Sequence, residues 1–383
     1  MKTALITWRE AARSLYDFLA ENGRDEFHIR YVVENDNSLW GNAIAASERL
    51  SIISSGKAAT LYSSGEVEKF LMPSLDEDTN EKIAKMLCFY GIAKEDVLYA
   101  PIGVLKDDAL PMDRLRQICC YHDRRELETI EIHIADHCNL NCKNCSMFCG
   151  LVPHRTFPSF QQTASDIRKL KQFFDHVKVF RLIGGEPLLN PDLERYIWEA
   201  RAAFPHTDIR MITNGILVRN MSPGLLQAIR ECDVSFIVTH YLPVSDQMES
   251  IREFLAENQI RYTISGIITE FQKIYDMRGT ADPAVRFASC HWKSSCATMG
   301  SGKIAACFVP FVIRYLSDTF QLDIKEDGQI DLYEEGLTTK EIRRRMQTPF
   351  SLCKYCAPKG MTAPWCIHRQ SEGHNIGDWS VIA

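Results

Sequence analysis

Short apolar runs alternate with amphipathic stretches over the first hundred residues, and this pattern predicts alternating strands and helices. Leu15, Phe18 and Leu19 recur at helical spacing, which places them on one face of a helix that ends near residue 21. A second helix is expected at 80–90, and strands are expected at 4–7, 27–33, 58–62 and 97–100. The alternation favours a small α/β domain with a parallel sheet over residues 1–105.

The alternation stops and then resumes further along the chain. Residues 106–127 are charged, and we expect them to be a linker. Strands follow at 129–135, 177–183, 208–212, 234–239 and 261–268, with helices at 165–176, 191–203, 223–231 and 246–258. Such units over residues 128–285 predict a partial (β/α)6 barrel of the TIM type, with its site over the C-terminal strand ends.

Charge and hydropathy exclude several classes of partner. The net charge is −6 and no long Lys or Arg tract is present, so nothing favours nucleic-acid binding. No stretch reaches the roughly 18 to 20 apolar residues of a membrane span. The N-terminal sequence does not have the pattern of a secretory signal, and we expect a cytoplasmic protein.

Cysteine is the unusual residue in the composition. The chain has 14 cysteines, and in a chain of this size a metal or redox use is favoured over disulfides. Ten of them fall within residues 138–149 and 290–366. Cys88, Cys119, Cys120 and Cys232 stand apart from these groups, mostly in apolar company, and are expected to be packing residues.

The first cysteine group follows the first strand of the predicted barrel. Cys138, Cys142 and Cys145 have the spacing C-x3-C-x2-C, so three thiolates can bind three corners of an iron–sulfur cubane. One iron is then left open for a substrate or cofactor. A zinc site completed by His137 or Cys149 is the alternative.

The next two predicted strands also end in polar or glycine-rich turns. Gly184-Gly185-Glu186-Pro187 follows the second strand, and Thr213-Asn214-Gly215 follows the third. With the three-cysteine loop, these motifs resemble the radical S-adenosylmethionine (radical SAM) superfamily over residues 127–383. The resemblance implies a 4Fe–4S cluster that binds and reductively cleaves S-adenosylmethionine, giving a 5′-deoxyadenosyl radical that abstracts hydrogen from a substrate carbon.

The resemblance also implies which residues contact the cofactor. The glycines let the backbone approach the methionine amino group, Glu186 pairs with that group or with ribose, and the other polar residues contact ribose or carboxylate. Strand-end packing is the alternative for the pair after the fourth strand, Thr239 and His240. The expected cofactor-binding residues are Gly184, Gly185, Glu186, Pro187, Thr213, Asn214, Thr239 and His240.

The second cysteine group resembles the SPASM and shorter twitch extensions of radical SAM proteins. It predicts a C-terminal domain over residues 286–383 with a second, auxiliary 4Fe–4S cluster, although a structural zinc site is an alternative. Cys296 is the main alternate ligand and Cys366 a weaker one. The preferred ligands are Cys290, Cys307, Cys353 and Cys356.

The substrate is expected to be a carbohydrate or nucleotide-sugar, oxidised or epimerised at a carbon. Residues 34–41 of the first domain resemble the corresponding turn of Rossmann-like domains that are fused to sugar-modifying proteins. Asp36 in this turn could bind ribose. The first turn has no glycines to admit a pyrophosphate, so a scaffold role for the domain stays open. Epimerisation needs a hydrogen donor, for which Cys149 and Tyr241 are candidates. The alternatives are a peptide- or protein-modifying enzyme and a non-catalytic iron–sulfur scaffold or sensor. Flavodoxin or ferredoxin is the expected reductant.

Overall fold

The computed structural model describes residues 1–7, 10–23, 26–39, 50–294, 297–369 and 373–381. The chain divides into two compact units, residues 1–128 and 129–383. No helix in these described ranges is long and apolar enough to cross a membrane.

The first unit contains a six-stranded sheet of order β3-β2-β1-β4-β5-β6. Its strands are β1 (Lys2–Ile6), β2 (His28–Val33), β3 (Ser51–Ile53), β4 (Lys69–Pro73), β5 (Val97–Ala100) and β6 (Cys119–Cys120). Its helices are α1 (Glu10–Asn22), α2 (Ser55–Ser63), α3 (Glu77–Phe89), α4 (Gly103–Lys106) and α5 (Pro111–Leu115). β1 to β5 pair in parallel, and β6 is antiparallel to β5. This order confirms the expected Rossmann-like domain.

Helices cover both faces of the first sheet. Leu5 of β1 packs with the buried side chains of α1, whereas Ala4 and Ile6 pack with those of α2 and α3. This division follows from strand geometry, because successive side chains point to opposite faces. The predicted apolar face of α1 is confirmed, since its three residues are buried in the same cluster as Leu5.

One predicted strand of the first unit is wrong, and one observed strand was missed. Residues 58–62, expected as a strand, lie in α2. The Ser54 side chain accepts a hydrogen bond from Lys57 N at 3.2 Å and caps this helix, which outweighs the β-propensity of the segment. The central strand β4 was not predicted, although it pairs with both β1 and β5.

Residues 106–127 are not a linker. They contain α5 and β6, and Leu115 and Tyr121 lie in the two cores of the first unit. The charged side chains of this segment suggested an exposed linker, but some of them are buried and hydrogen-bonded. The carboxylate of Glu126 is 2% exposed and accepts hydrogen bonds from Ser74 Oγ and Ile102 N, both at 2.7 Å.

The second unit is built on an eight-stranded sheet of order β11-β10-β9-β8-β7-β13-β14-β15. Its strands are β7 (Glu126–Ala135), β8 (His176–Gly184), β9 (Asp208–Thr213), β10 (Ser235–Val238), β11 (Tyr262–Ile264), β13 (Ala297–Gly300), β14 (Lys303–Ala305) and β15 (Gln329–Asp331). β8 to β11 pair in parallel, as do β7 and β13, whereas β13, β14 and β15 are antiparallel. The sheet is open, as expected for a partial barrel.

The remaining elements complete the second unit. A separate antiparallel pair is formed by β12 (Glu270–Gln272) and β16 (Thr362–Pro364). The helices are α6 (Phe160–Phe173), α7 (Leu193–Ala203), α8 (Pro223–Glu231), α9 (Met248–Glu257), α10 (Pro283–Ala288), α11 (Val309–Phe320) and α12 (Thr339–Met346). The four helices expected between the barrel strands are present. α6 begins earlier than predicted because the Ser159 side chain caps it through Gln162 N.

Candidate active site

Three cysteines lie in the irregular loop that follows β7. Asn141 and Asn144, which directly precede Cys142 and Cys145, adopt left-handed backbone conformations with φ of 50° and 58°. Asparagine tolerates this conformation better than most residues. The chain therefore turns ahead of both cysteines, and their thiols line one cavity of about 320 Å³ together with Cys138.

The glycine turn after β8 packs against the start of this loop. Gly184 has a φ of 140°, and a Cβ atom on it would lie 2.2 Å from the carbonyl oxygen of Ala135. A Cβ atom on Gly185 would lie 2.0 Å from the carbonyl oxygen of His137. Both positions therefore require glycine, and both glycines line the cavity.

Glu186 lies beneath the turn. Its side chain is 0% exposed and its carboxylate accepts hydrogen bonds from Thr213 Oγ1 at 2.7 Å, Asn214 N at 2.9 Å and Leu188 N at 3.1 Å. Burial raises the pKa of Glu186 to about 7. The side chain ties the ends of β8 and β9 together and does not line the cavity, so its position gives no support to the expected cofactor contact.

The polar residues after β9 do reach the cavity. Thr213 and Asn214 line it, and Asn214 Nδ2 donates a hydrogen bond to Asn139 Oδ1 at 2.7 Å. The same nitrogen lies 3.5 Å from Cys138 Sγ. Asn214 therefore connects the end of β9 to the first cysteine of the loop.

Of the remaining expected cofactor-binding residues, one lines the cavity and two do not. Thr239, at the end of β10, lines the cavity. Pro187 and His240 do not: Pro187 begins the short 3-10 helix Pro187–Leu189, and His240 Nε2 lies 3.0 Å from Ser245 Oγ.

Both candidate hydrogen donors line the cavity. Cys149 is 4% exposed, and its Sγ lies 3.7 Å from Cys145 Sγ. Tyr241 stacks on Trp365, with ring centroids 5.9 Å apart. Burial, followed by the nearby thiols, raises the pKa of Tyr241 far above its usual value, so its hydroxyl stays protonated.

The loop thiols differ in their surroundings. Burial raises the pKa of Cys138 to about 11 and that of Cys142 to about 12, whereas a hydrogen bond with Cys149 lowers the pKa of Cys145. Cys138 Sγ accepts from Leu140 N at 3.5 Å, and Cys142 Sγ accepts from the Trp365 indole at 3.2 Å. Iron binds thiolates, so cluster binding must release these protons.

The preferred residues of the second cysteine group also come together. Cys290, Cys307, Cys353 and Cys356 line a second cavity of about 80 Å³. The alternate Cys296 lies outside the described residues. The weaker alternate, Cys366, is exposed and does not line this cavity.

The two cavities adjoin. Gln272, Ile274 and Trp292 line both of them. Tyr275 is 1% exposed between the two cysteine groups, and its hydroxyl donates to Ser146 O at 2.8 Å. The residues that join the cavities, like Trp365, were not predicted, because they lie outside the family motifs and no regular spacing relates them to the cysteines.

The cavity beside the loop has the thiols and the space that a cubane cluster needs. Among the residues that the structure describes, no three His, Cys, Asp or Glu side chains are arranged to hold one metal ion. A cubane cluster takes its thiolates at separate corners. Three thiols around a shared cavity, with glycine backbone on one side, match such a cluster with one open corner.

An α/β sheet that carries a three-cysteine loop and a glycine turn at adjacent strand ends is the architecture of a cluster-dependent S-adenosylmethionine protein. The family comparison agrees, because residues 132–246 match the Radical SAM superfamily. This range contains the cysteine loop, the glycine turn and the ends of β9 and β10. Residues 132–246 are therefore a radical SAM domain, which implies a 4Fe–4S cluster and S-adenosylmethionine as cofactors.

Curated relatives share part of this region. The chain is 32% identical over 149 residues to the GTP 3′,8-cyclase of Clostridium acetobutylicum, which is 38% of this chain and 43% of that protein. It is 34% identical over 113 residues to the GTP 3′,8-cyclase of Trichodesmium erythraeum, 28% of this chain and 34% of that protein. The chain therefore spans less than half the length of these relatives.

Solved structures resemble the chain only coarsely. BtrN in complex with AdoMet and 2-DOIA has a TM-score of 0.39 and 17% identity, covering 61% of this chain and 94% of BtrN. Streptococcus suis SuiB bound to S-adenosylmethionine has a TM-score of 0.34 and 11% identity, covering 75% of this chain and 77% of SuiB.

Proposed function

We propose that this protein uses S-adenosylmethionine and a cluster on Cys138, Cys142 and Cys145 to remove hydrogen from a carbon of a small-molecule substrate. The observation that carries this proposal is the single cavity lined by the three thiols, the glycine turn and the ends of β9 and β10. When bound, the reduced cluster supplies the electron that cleaves S-adenosylmethionine to the 5′-deoxyadenosyl radical.

The chain's own residues position the reactants. Gly184 and Gly185 line the cavity without side chains, which leaves space for the methionine moiety, and Asn214 holds the first cysteine of the loop. Phe271 and Tyr241, with ring centroids 5.9 Å apart, give the cavity an aromatic wall against which a bound substrate would be shielded from water. Exclusion of water protects a radical from side reactions.

We further propose that the second cavity holds an auxiliary cluster on Cys290, Cys307, Cys353 and Cys356. Its position supports dehydrogenation. Loss of a hydrogen atom to 5′-deoxyadenosine, then of one electron and one proton, would convert a CH–OH carbon to C=O. An auxiliary cluster held by these four cysteines would supply the acceptor for that electron. The two cavities share wall residues, which supports electron transfer between them.

The proposed substrate is a carbohydrate or nucleotide-sugar. Cationic side chains support an anionic group on it: Arg286, Lys293 and Lys359 line the second cavity, whereas no Lys or Arg of the described residues lines the first. A sugar carbon in the first cavity would then be joined to a phosphate that contacts these side chains outside the space of the auxiliary cluster. Flavodoxin or ferredoxin would supply the electron for the first cluster.

A second candidate is a nucleotide cyclisation, which the curated relatives favour because their name specifies GTP. The chemistry at the first cavity is the same, but the substrate radical attacks within its own molecule. A peptide-modifying enzyme is a third candidate. Each predicts a different molecule that loses hydrogen to 5′-deoxyadenosine.

The test is a substrate screen with anaerobically reconstituted, reduced protein. Nucleotide-sugars, GTP and candidate peptides are each added with S-adenosylmethionine, and 5′-deoxyadenosine and products are measured by mass spectrometry. A nucleotide-sugar should raise 5′-deoxyadenosine formation and lose two hydrogens. Isomerised GTP or a cross-linked peptide would overturn the proposed substrate class in favour of the corresponding candidate.

A further inference from the structure

The indole of Trp365 contacts one thiol of the cysteine loop directly. Its Nε1–H donates a hydrogen bond to Cys142 Sγ at 3.2 Å, and Cys142 is 7% exposed. We propose that Trp365 is a positioning residue that sets the reduction potential of the cluster on Cys138, Cys142 and Cys145 through this hydrogen bond. The inference rests on the proposed function, because it requires a cluster at this loop.

The indole is held by the backbone on both sides of it. Ahead of Trp365, β16 pairs with β12. Behind it, Ile367 forms an antiparallel bridge with Cys142, and Lys143 N donates to Cys366 O at 2.9 Å. A donor anchored on both sides has little freedom to swing away when the charge of the cluster changes.

Trp365 has a second contact in the cavity wall. Its ring stacks on Tyr241 at an interplanar angle of 29°, and Tyr241 lines the cavity. Removing the whole ring would therefore disturb the wall as well as the hydrogen bond. Phenylalanine at position 365 keeps an aromatic ring and removes only the donor.

The direction of the effect follows from charge. Reduction adds one electron to the cluster, and an N–H group directed at a cluster sulfur stabilises the more negative state. The indole contact with Cys142 is shorter than the 3.5 Å contacts that Cys138 Sγ receives from Leu140 N and Asn214 Nδ2. Loss of the indole donor should therefore make the cluster harder to reduce.

The experiment is a potentiometric titration of the reconstituted full chain, followed by electron paramagnetic resonance. The signal that changes when S-adenosylmethionine is added is assigned to this cluster. Trp365→Phe should keep the wild-type iron content and lower the one-electron reduction constant roughly three- to tenfold, where tenfold corresponds to about 59 mV.

Trp379→Phe is the matched control. Trp379 is 1% exposed and packs on Phe148, but its Nε1 has no acceptor within the described part of the chain. This variant should keep the wild-type potential. An equal shift in both variants, or a wild-type potential in an iron-loaded Trp365→Phe protein, would overturn the inference and leave the proposed function standing. Wild-type protein that binds no SAM-sensitive cluster would overturn the proposed function itself.

The wild-type protein provides a second measurement if Trp365→Phe fails to load iron. Tryptophan labelled with 15N in the indole should give a 15N coupling to the SAM-sensitive signal in pulsed electron–nuclear double resonance. Trp379→Phe should retain this coupling. A labelled wild-type protein whose SAM-sensitive signal shows no 15N coupling would overturn the inference.

Discussion

Glu186 illustrates how single buried residues shape this site. Three hydrogen-bond donors meet its carboxylate between the ends of β8 and β9, yet burial still raises its pKa from the usual 4.5 to about 7. Because the pKa is raised in the folded state, the contribution of Glu186 to the unfolding free energy is fully present below pH 4.5 and is lost as the pH rises through 7.

The first prediction uses this titration. Glu186→Gln is neutral at every pH, so this position should no longer make the stability depend on pH. Between pH 5 and pH 8 the unfolding free energy of the wild-type protein should fall by up to about 3 kcal/mol more than that of the variant. This figure follows from about 1.4 kcal/mol for each unit of pKa shift. Urea unfolding of both cluster-free proteins at the two pH values measures this difference. Parallel pH profiles would contradict the prediction.

The second prediction concerns the glycine turn. Gly185→Ala places a methyl group 2.0 Å from the His137 carbonyl oxygen, so the backbone ahead of Cys138 must move. We expect the variant to lose most of the iron of the first cluster. Gly266→Ala is the control, because a Cβ atom there has no neighbour within 4 Å among the described residues. Equal iron content in the two variants would show that the turn does not constrain the cysteine loop.

The cysteines and glycines could be predicted from the sequence because their chemistry allows few substitutes. Trp365 could not, since its contact with Cys142 depends on a long-range backbone bridge between positions 142 and 367. The environment of Glu186 was likewise hidden, because its burial depends on how β9 packs beside β8.

At the scale of elements, buried polar contacts join the barrel helices to the C-terminal strands. Asp166 of α6 is 0% exposed and accepts hydrogen bonds from Gly302 N at 2.8 Å and Tyr333 Oη at 3.0 Å. Gly302 lies in the turn between β13 and β14 with a φ of 78°. One side chain therefore holds the β13–β14 turn and the segment after β15 against α6.

The third prediction follows from these contacts. Asp166→Ala leaves buried donors without an acceptor and should lower the unfolding free energy by about 1–3 kcal/mol. Tyr333→Phe removes only one of the bonds and should cost about 0.5–1.5 kcal/mol. Urea unfolding followed by circular dichroism measures both. An unchanged midpoint in Asp166→Ala would mean that these contacts do not stabilise the second unit.

Long amphipathic patterns predicted helices correctly, whereas the wrong element prediction fell on a short apolar segment. The helices after β8 and β9 are recognisable from one buried face each. Segment 58–62 was assigned to a strand because five residues cannot distinguish a buried helix turn from a strand. The charged segment 106–127 hid buried residues that only the fold reveals.

At the scale of the whole second unit, the two cysteine groups share one core. Phe148 and Leu151, beside the first group, pack with Cys307 and Leu352 of the second. Residues 129–383 form one compact unit, so the C-terminal segment is part of the site's framework. A separate domain over residues 286–383, with its own cluster, stays a prediction.

The fourth prediction tests the second cavity. Cys353→Ala removes a thiol that lines this cavity and should lower the iron content by about four atoms, the size of one cubane, while the SAM-sensitive signal remains. Cys366→Ala, which changes an exposed thiol outside the cavity, should keep all of the iron. A wild-type protein that contains about four irons and one zinc would contradict the auxiliary cluster.

Formation of 5′-deoxyadenosine is the direct test of radical chemistry at the first cavity. The full chain is reconstituted without oxygen, reduced with dithionite and given S-adenosylmethionine, and the nucleoside is quantified by liquid chromatography. The wild-type protein should form it, and Cys142→Ala, which lacks one of the three loop thiols, should not. A wild-type protein that carries its iron but forms no 5′-deoxyadenosine, or a Cys142→Ala variant as active as the wild type, would contradict the account.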